Sequence, residues 1–149
     1  MEKYLLQMVM GCIGAIGFAV LFNVNRNKLL IIAAASALSW LGYAICMLCN
    51  TGVFWAFFCG TVVAALLSEV LARIVRVPVL MLLVPILIPL IPGGDLYHMM
   101  SNLVRGKEED MMNYARLLLK EAGAIALGII CVASLMGIVM GVKNRKQRK

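Results

Sequence analysis

Five long stretches of apolar sequence, nearly free of charge, dictate what this chain can fold into. They run near residues 4–22, 29–49, 53–72, 77–92 and 122–142. A hydrocarbon core about 30 Å thick is crossed by about 20 residues of α-helix, so four of the five are long enough to span it and the fourth is short. Within each stretch the apolar residues are continuous. A helix with one wet face would instead show them at a spacing of about 3.6. Composition agrees: 63% of the 149 residues are hydrophobic and 14% charged, whereas soluble domains carry about 25% charge. Too little polar surface exists to cover such a core, so lipid is the solvent. The sequence predicts an all-α, polytopic membrane protein of about five transmembrane helices, the fourth broken by prolines, folded as one domain over residues 1–149.

The first stretch exceeds a typical signal-peptide core and ends in Asn23-Val24-Asn25-Arg26-Asn27-Lys28 without a small-residue cleavage site, so it reads as a retained helix. Orientation follows from the cations. With five spans, Arg26, Lys28, Arg73, Arg76, Lys143, Arg145, Lys146, Arg148 and Lys149 share one side, and Lys3, Arg105, Lys107, Arg116 and Lys120 the other. Nine against five places the N-terminus outside and the C-terminus inside. The basic tail beside a span reads as a topology anchor on anionic lipid, with no nucleic-acid partner implied. Cys12, Cys46, Cys59 and Cys131 lie within apolar stretches and Cys49 at the end of one. Buried cysteines behave as small hydrophobes. The Cys46-x-x-Cys49 spacing lacks both the further ligands of a zinc site and the soluble context of a redox motif. No cofactor and no metal is implied.

The informative segment is PVLMLLVPILIPLIPGGD, from Pro78 to Asp95. Pro85, Pro89 and Pro92 each lack a backbone N–H and free a carbonyl one turn earlier. An unpaired polar group in hydrocarbon costs several kcal/mol, roughly, so irregular backbone survives there only where it meets protein or a water-filled cavity. In transporters, broken helices of this kind form substrate sites. Gly93 and Gly94 permit positive φ and close approach of a ligand. A short helix is expected to begin near Asp95, its free N–H groups suited to a carboxylate. Asp95 then either caps that helix or meets an ammonium group. The candidate substrate path is therefore Pro85, Pro89, Pro92, Gly93, Gly94 and Asp95.

Other polar residues leave two readings open. Glu69, near the end of the third span, is a candidate for proton or charge handling. It also stands four residues before Arg73, the spacing of a local ion pair. His98, the only histidine, suits proton coupling at a vestibule or is simply solvated. Lys120 and Glu121 open the last stretch and mark the membrane interface. Gly11, Gly14 and Gly17 on the first span, and Ala133, Gly137 and Gly141 on the last, form small-residue stripes for helix packing, in this chain or against another. Motifs for nucleophilic catalysis, phosphate binding and metallohydrolysis are absent, so no catalytic residue is assigned and the chain reads as no enzyme.

From residue 84 the sequence VPILIPLIPGGDLYHMM resembles the threonine/serine exporter (ThrE) family, in its C-terminal five-helix half, which also occurs as a separate small subunit. The resemblance rests on Pro85, Pro89, Pro92, Gly93 and Gly94. It implies export of threonine and serine across the bacterial cytoplasmic membrane, driven by the proton motive force, together with a larger five-helix subunit. Succinate or a related dicarboxylate is the implied alternative substrate. An odd number of spans fits this independently. A related five-span partner starting inside would end outside, giving the opposed topologies of an inverted repeat with the path between halves. The competing readings are a non-transporting membrane scaffold working through its small-residue faces and, least supported, a membrane-embedded enzyme subunit.

Overall fold

The computed structural model describes the backbone from Glu2 to Gln147 and side-chain surroundings over residues 6–140. The elements are α1 (Glu2–Leu21), α2 (Leu29–Leu48), α3 (Val53–Val75), α4 (Val79–Leu87), α5 (Gly93–Val104) and α6 (Glu108–Gln147), with 3-10 turns at Arg26–Lys28 and Ile88–Leu90. No strand occurs among the described residues. Gly141 and the basic tail over 143–149 lie outside the residues whose side chains are described.

Local sequence explains where the helices stop. Asn23 and Asn50 take left-handed backbone, with φ of 55° and 56°. Asparagine tolerates this conformation, which lets later N–H groups close on the last carbonyls of a helix. Val24 N–H thus donates to Ala19 O at 3.0 Å. Arg76 ends α3 in the same way, with Val77 N–H on Ala72 O at 3.0 Å.

The core is built mainly from alanine. Ala15 and Ala19 of α1, Ala35 of α2 and Ala64 and Ala72 of α3 are buried with Leu82 and Ile86 of α4. Small side chains let backbones approach where lipid supplies no hydrophobic drive between helices. α4 therefore sits among α1, α2 and α3, filling their shallow faces with its own larger residues. The Ser39 hydroxyl of α2 donates to Gly60 O of α3 at 3.0 Å, satisfying a buried polar group across that contact. On the far side of α3, Val132 of α6 packs with Ala65 and Leu83. Outward-facing apolar residues such as Leu30, Ile74 and Leu80 are 81%, 71% and 69% exposed. Patches of this extent meet lipid rather than water.

α6 runs parallel to α3, because Gly128 lies on Thr61 while Arg73 reaches Met140. Arg26, Lys28, Arg73 and Arg76 consequently gather at one end of the bundle, where Lys28 Nζ donates to Val75 O at 3.4 Å. The opposite end carries the start of α3 and a hairpin of α5 against the first turns of α6.

Two features differ from expectation. The last helix begins at Glu108, well before the apolar stretch. Its 40 residues would measure about 60 Å, twice the hydrocarbon core. Hydropathy marks where lipid begins and not where a helix does; Glu108, Glu109 and Asp110 are good helix-starting residues beside the positive N-terminal end. The polar segment after residue 93 is thus mostly helical. Among the described residues, three helices are long and apolar enough to cross a membrane. The pair Val79–Leu90 and Gly93–Val104, bent by 61° at the prolines, is a fourth if both halves belong to one broken span. A fifth would be α1, whose described apolar part, Leu6–Leu21, is shorter.

Candidate functional site

The site begins with residues that cannot donate a backbone hydrogen bond. Pro89 cannot reach the Pro85 carbonyl, and Ile88 N–H takes it instead, one residue early. Pro92 likewise leaves Ile88 O to Ile91 N–H, at 3.2 Å. Each proline shifts the preceding turn from α to 3-10 spacing. Gly93 N–H then closes on Ile91 O at 2.7 Å, and α5 departs in its new direction.

Most of this turn packs against protein, with Ile91 56% exposed at its end. Pro85 is fully buried and Leu90 is 1% exposed. Gly11 of α1 lies so close that a Cβ there would stand 2.8 Å from Pro89 Cβ. A Cβ on Gly60 of α3 would stand 3.1 Å from both Leu90 Cδ2 and Tyr43 Cβ. Gly60 is two turns inside the start of α3, so the break sits about 10 Å below that end of the helix.

α5 starts differently from expectation. Gly93 and Gly94 are its first residues and take helical backbone; the glycines with positive φ are Gly52 and Gly106. What glycine provides here is the lack of a side chain, since a Cβ on either would meet nothing within 4 Å. Asp95 is not the cap. Pro92 holds that position, its carbonyl accepting from Leu96 N–H at 3.2 Å, and no side chain caps the helix. The N–H groups of Gly94 and Asp95 fall in the first turn, where no intrahelical acceptor exists.

The carboxyl of Asp95 lies within hydrogen-bond reach of the Glu121 carboxyl on α6. Glu121 does not mark an exposed interface: it is 2% exposed, and its Oε2 has no hydrogen-bond partner. Its face of α6 continues through Ala124, Gly128 and Val132, all packed inward. One turn further along the hairpin, His98 is exposed and stacks on Tyr114, with ring centroids 5.2 Å apart. Glu69 is toward the other end of the bundle, 2.9 Å from Arg73, which also reaches Met140 Sδ at 2.9 Å. The fold therefore brings Asp95, in the first turn after Pro92, Gly93 and Gly94, beside Glu121, sets His98 outside and leaves Glu69 apart.

The small residues divide as well. Gly11 and Gly14 face the proline turn, where a Cβ on Gly14 would stand 3.4 Å from Ile88 Cγ2. Gly17 and Gly137 have nothing within 4 Å of an added Cβ. Ala133 borders a groove of about 200 Å³ that Glu69 also lines. Sequence reasoning missed Gly60, Gly128, Thr61 and Glu121. Thr61 is buried with its Oγ1 unpartnered, where Gly128 would place a Cβ 2.9 Å from its Cβ. The rule that singled out Glu69, a carboxylate within a span, would have found Glu121 had the last helix been started early enough. Among the described residues no group of three or more metal-ligating side chains forms, and all five cysteines are free.

A family model described as threonine/serine exporter, ThrE, matches residues 7–135. The chain belongs to the threonine/serine exporter family. No curated protein and no solved structure matches it. The matched stretch runs through α1 to α6 and includes the proline turn, Asp95 and Glu121. The threonine/serine exporters are transporters and not enzymes. That class suits a fold with lipid-facing helices around a broken one, because transport requires polar groups at a depth where a plain helix bundle has none.

Proposed function

We propose that this chain is one half of a two-part exporter that moves threonine and serine out across the bacterial cytoplasmic membrane. Its partner is a second, larger five-helix subunit of opposite topology, and the substrate path lies between the halves, driven by the proton motive force. The observation that carries this reading is the break after α4: backbone irregular at Ile88–Leu90, enclosed by α1, α2 and α3, followed by a helix start with free N–H groups and no side chain over it. The end of the bundle holding Arg26, Lys28, Arg73 and Arg76 faces the cytoplasm, as the positive-inside rule requires. The N-terminus and the α5–α6 hairpin are then outside.

The test is efflux of labelled threonine, serine and succinate from cells with and without this chain and its candidate partner. Threonine and serine efflux requiring both subunits is expected. Efflux of succinate alone would assign the dicarboxylate. No efflux of any of the three, with Pro89→Ala silent and Gly137→Leu disruptive, would leave the scaffold reading. Reporter fusions placing both termini on one side would break the opposed-topology arrangement.

A further inference from the structure

Glu121 is the observation that the proline–glycine signature does not explain. A carboxylate is among the most expensive side chains to bury in a membrane protein, and buried ones pair with a cation or mark a pathway. Here the ionisable group that acts on it is a second carboxylate, Asp95. Among the described residues the one ion pair joins Glu69 to Arg73, so neither Asp95 nor Glu121 has a protein cation. Lys120, next in sequence, is exposed and lines a groove with Thr51 and Phe54 of the α2–α3 end. Two carboxylates this close repel unless a proton or a cation lies between them. Glu121 is 98% buried, and its Oε2 has no hydrogen-bond donor.

The surroundings select among cations. Beside the pair stands the start of α5, a 12-residue helix whose first N–H groups and partial positive charge favour an anion. Gly93 and Gly94 leave that backbone uncovered. Acceptors for a positive group thus adjoin donors for a negative one, the polarity of a zwitterion. A dicarboxylate would meet the same pair with like charge at one of its ends.

Resting on the exporter reading above, we infer that Asp95 and Glu121 bind the α-ammonium group of the exported amino acid, with its carboxylate on the N–H groups of Gly94 and Asp95. A proton shared by the two carboxyls occupies the pair when substrate leaves. The site thereby discriminates α-amino acids from dicarboxylic acids of similar size.

The experiment uses cells carrying this chain and its partner, with membrane levels followed by immunoblot. Glu121→Gln keeps the shape and removes the charge; it is expected to lower threonine and serine efflux at least tenfold. Asp95→Asn should act in the same direction, and Glu121→Asp should restore part of the activity. Should Glu121→Gln fail to accumulate, the Asp95→Asn and Glu121→Asp pair decides by the same criterion. In the purified complex, L-threonine should raise the melting temperature of wild type but not of Glu121→Gln, and N-acetyl-L-threonine should raise neither. Wild-type threonine efflux with both charge-removing variants at full rate would overturn the ammonium site and leave the exporter reading standing. Absence of wild-type threonine efflux would overturn both. Equal stabilisation by the N-acetyl compound, or efflux abolished when choline replaces sodium, would assign the pair to an inorganic cation and overturn the inference.

Discussion

The two special-backbone segments of this protein, the proline turn at Ile88–Leu90 and the diglycine start of α5, are separated by only a few residues and have opposite surroundings. At the first, glycines on two neighbouring helices have given up their side chains so that Pro89 and Leu90 fit against bare backbone. At the second, the glycines belong to the segment itself, and nothing lies within 4 Å of where their side chains would be. The first is a fixed joint that sets the depth and direction of α5. The second is an uncovered helix start held by that joint beside a buried carboxyl. A broken helix in a membrane needs both: one to satisfy the backbone where it leaves helical spacing, the other to present polar groups to a passing molecule.

The comparison would break first at Gly11. A valine there places its branched Cβ against the ring of Pro89, 2.8 Å from Cβ and 3.0 Å from Cγ, and a proline ring has no rotamer by which to yield. Overpacking of this kind costs about 1–3 kcal/mol. Gly11→Val is expected to lower the melting temperature of the purified protein and its level in membranes. Gly17→Val, two turns along the same helix and facing open space, should change neither. Equal behaviour of the two would mean that α1 does not hold the proline turn.

Next in size is Gly128→Ala, where the new Cβ meets Thr61 Cβ and Cγ2 at 2.9 Å and Phe58 O at 3.3 Å. Threonine is stiff at χ1 and backbone oxygen does not retreat, so a loss of about 1–2 kcal/mol is expected at the α3–α6 contact. Thr61→Ala alone removes a buried hydroxyl whose Oγ1 has no partner, and it should be close to neutral. In the Gly128→Ala background the same change should recover part of the loss. A double-mutant cycle in thermal melts checks both, and simple additivity would show that the two residues do not touch.

How much of this was legible depended on which property the sequence exposes. Hydropathy locates the apolar stretches, and the helices α1, α2 and α3 follow them closely because each ends at a turn-forming residue, Asn23, Asn50 or Arg76. The start of α6 was not legible from the same signal. Residues 108–121 precede the apolar stretch yet belong to the same helix, and polarity and helicity are separate properties. That displacement also hid Glu121, which read as an interface marker at a helix start when it lies well inside a long helix. The break at Pro85, Pro89 and Pro92 was legible from covalent chemistry alone, since a missing N–H does not depend on tertiary context. Which glycines would be crowded was not. Gly60 and Gly128 form no stripe in the sequence, and their roles come from Leu90 and Thr61 on other helices.

Gly94→Ala sharpens the second half of the comparison. Its added methyl meets nothing in the protein. Replacing glycine within a helix stabilises by about 0.5–1 kcal/mol. The melting temperature should hold or rise slightly. The methyl would still stand over the uncovered N–H groups, so threonine efflux should fall while the protein becomes no less stable. A stability loss, or full efflux, would show that the space at the start of α5 has another use.

The smallest effect is expected at Glu69, and it separates the two carboxylates that lie within apolar helices. Glu69 already has its cation: Arg73 is 2.9 Å away at i, i+4, with its side chain 41% exposed. A pair that open contributes about 0.3–0.5 kcal/mol, less where salt screens it. Glu69→Gln should therefore leave the melting temperature nearly unchanged and alter efflux by less than about twofold, the kinetic equivalent of that energy. Glu121→Gln removes a charge of the same type from a site with no protein cation, yet its effect is expected to be the larger. Burial alone does not separate them, since a buried ion pair can also be replaced at little loss. The partner does: a carboxylate matched within the protein is finished structure, and one left facing another carboxylate requires something from outside it. If Glu69→Gln stops efflux as fully as Glu121→Gln, proton handling would have to run the length of α3, and the two ends of the bundle would act as one pathway.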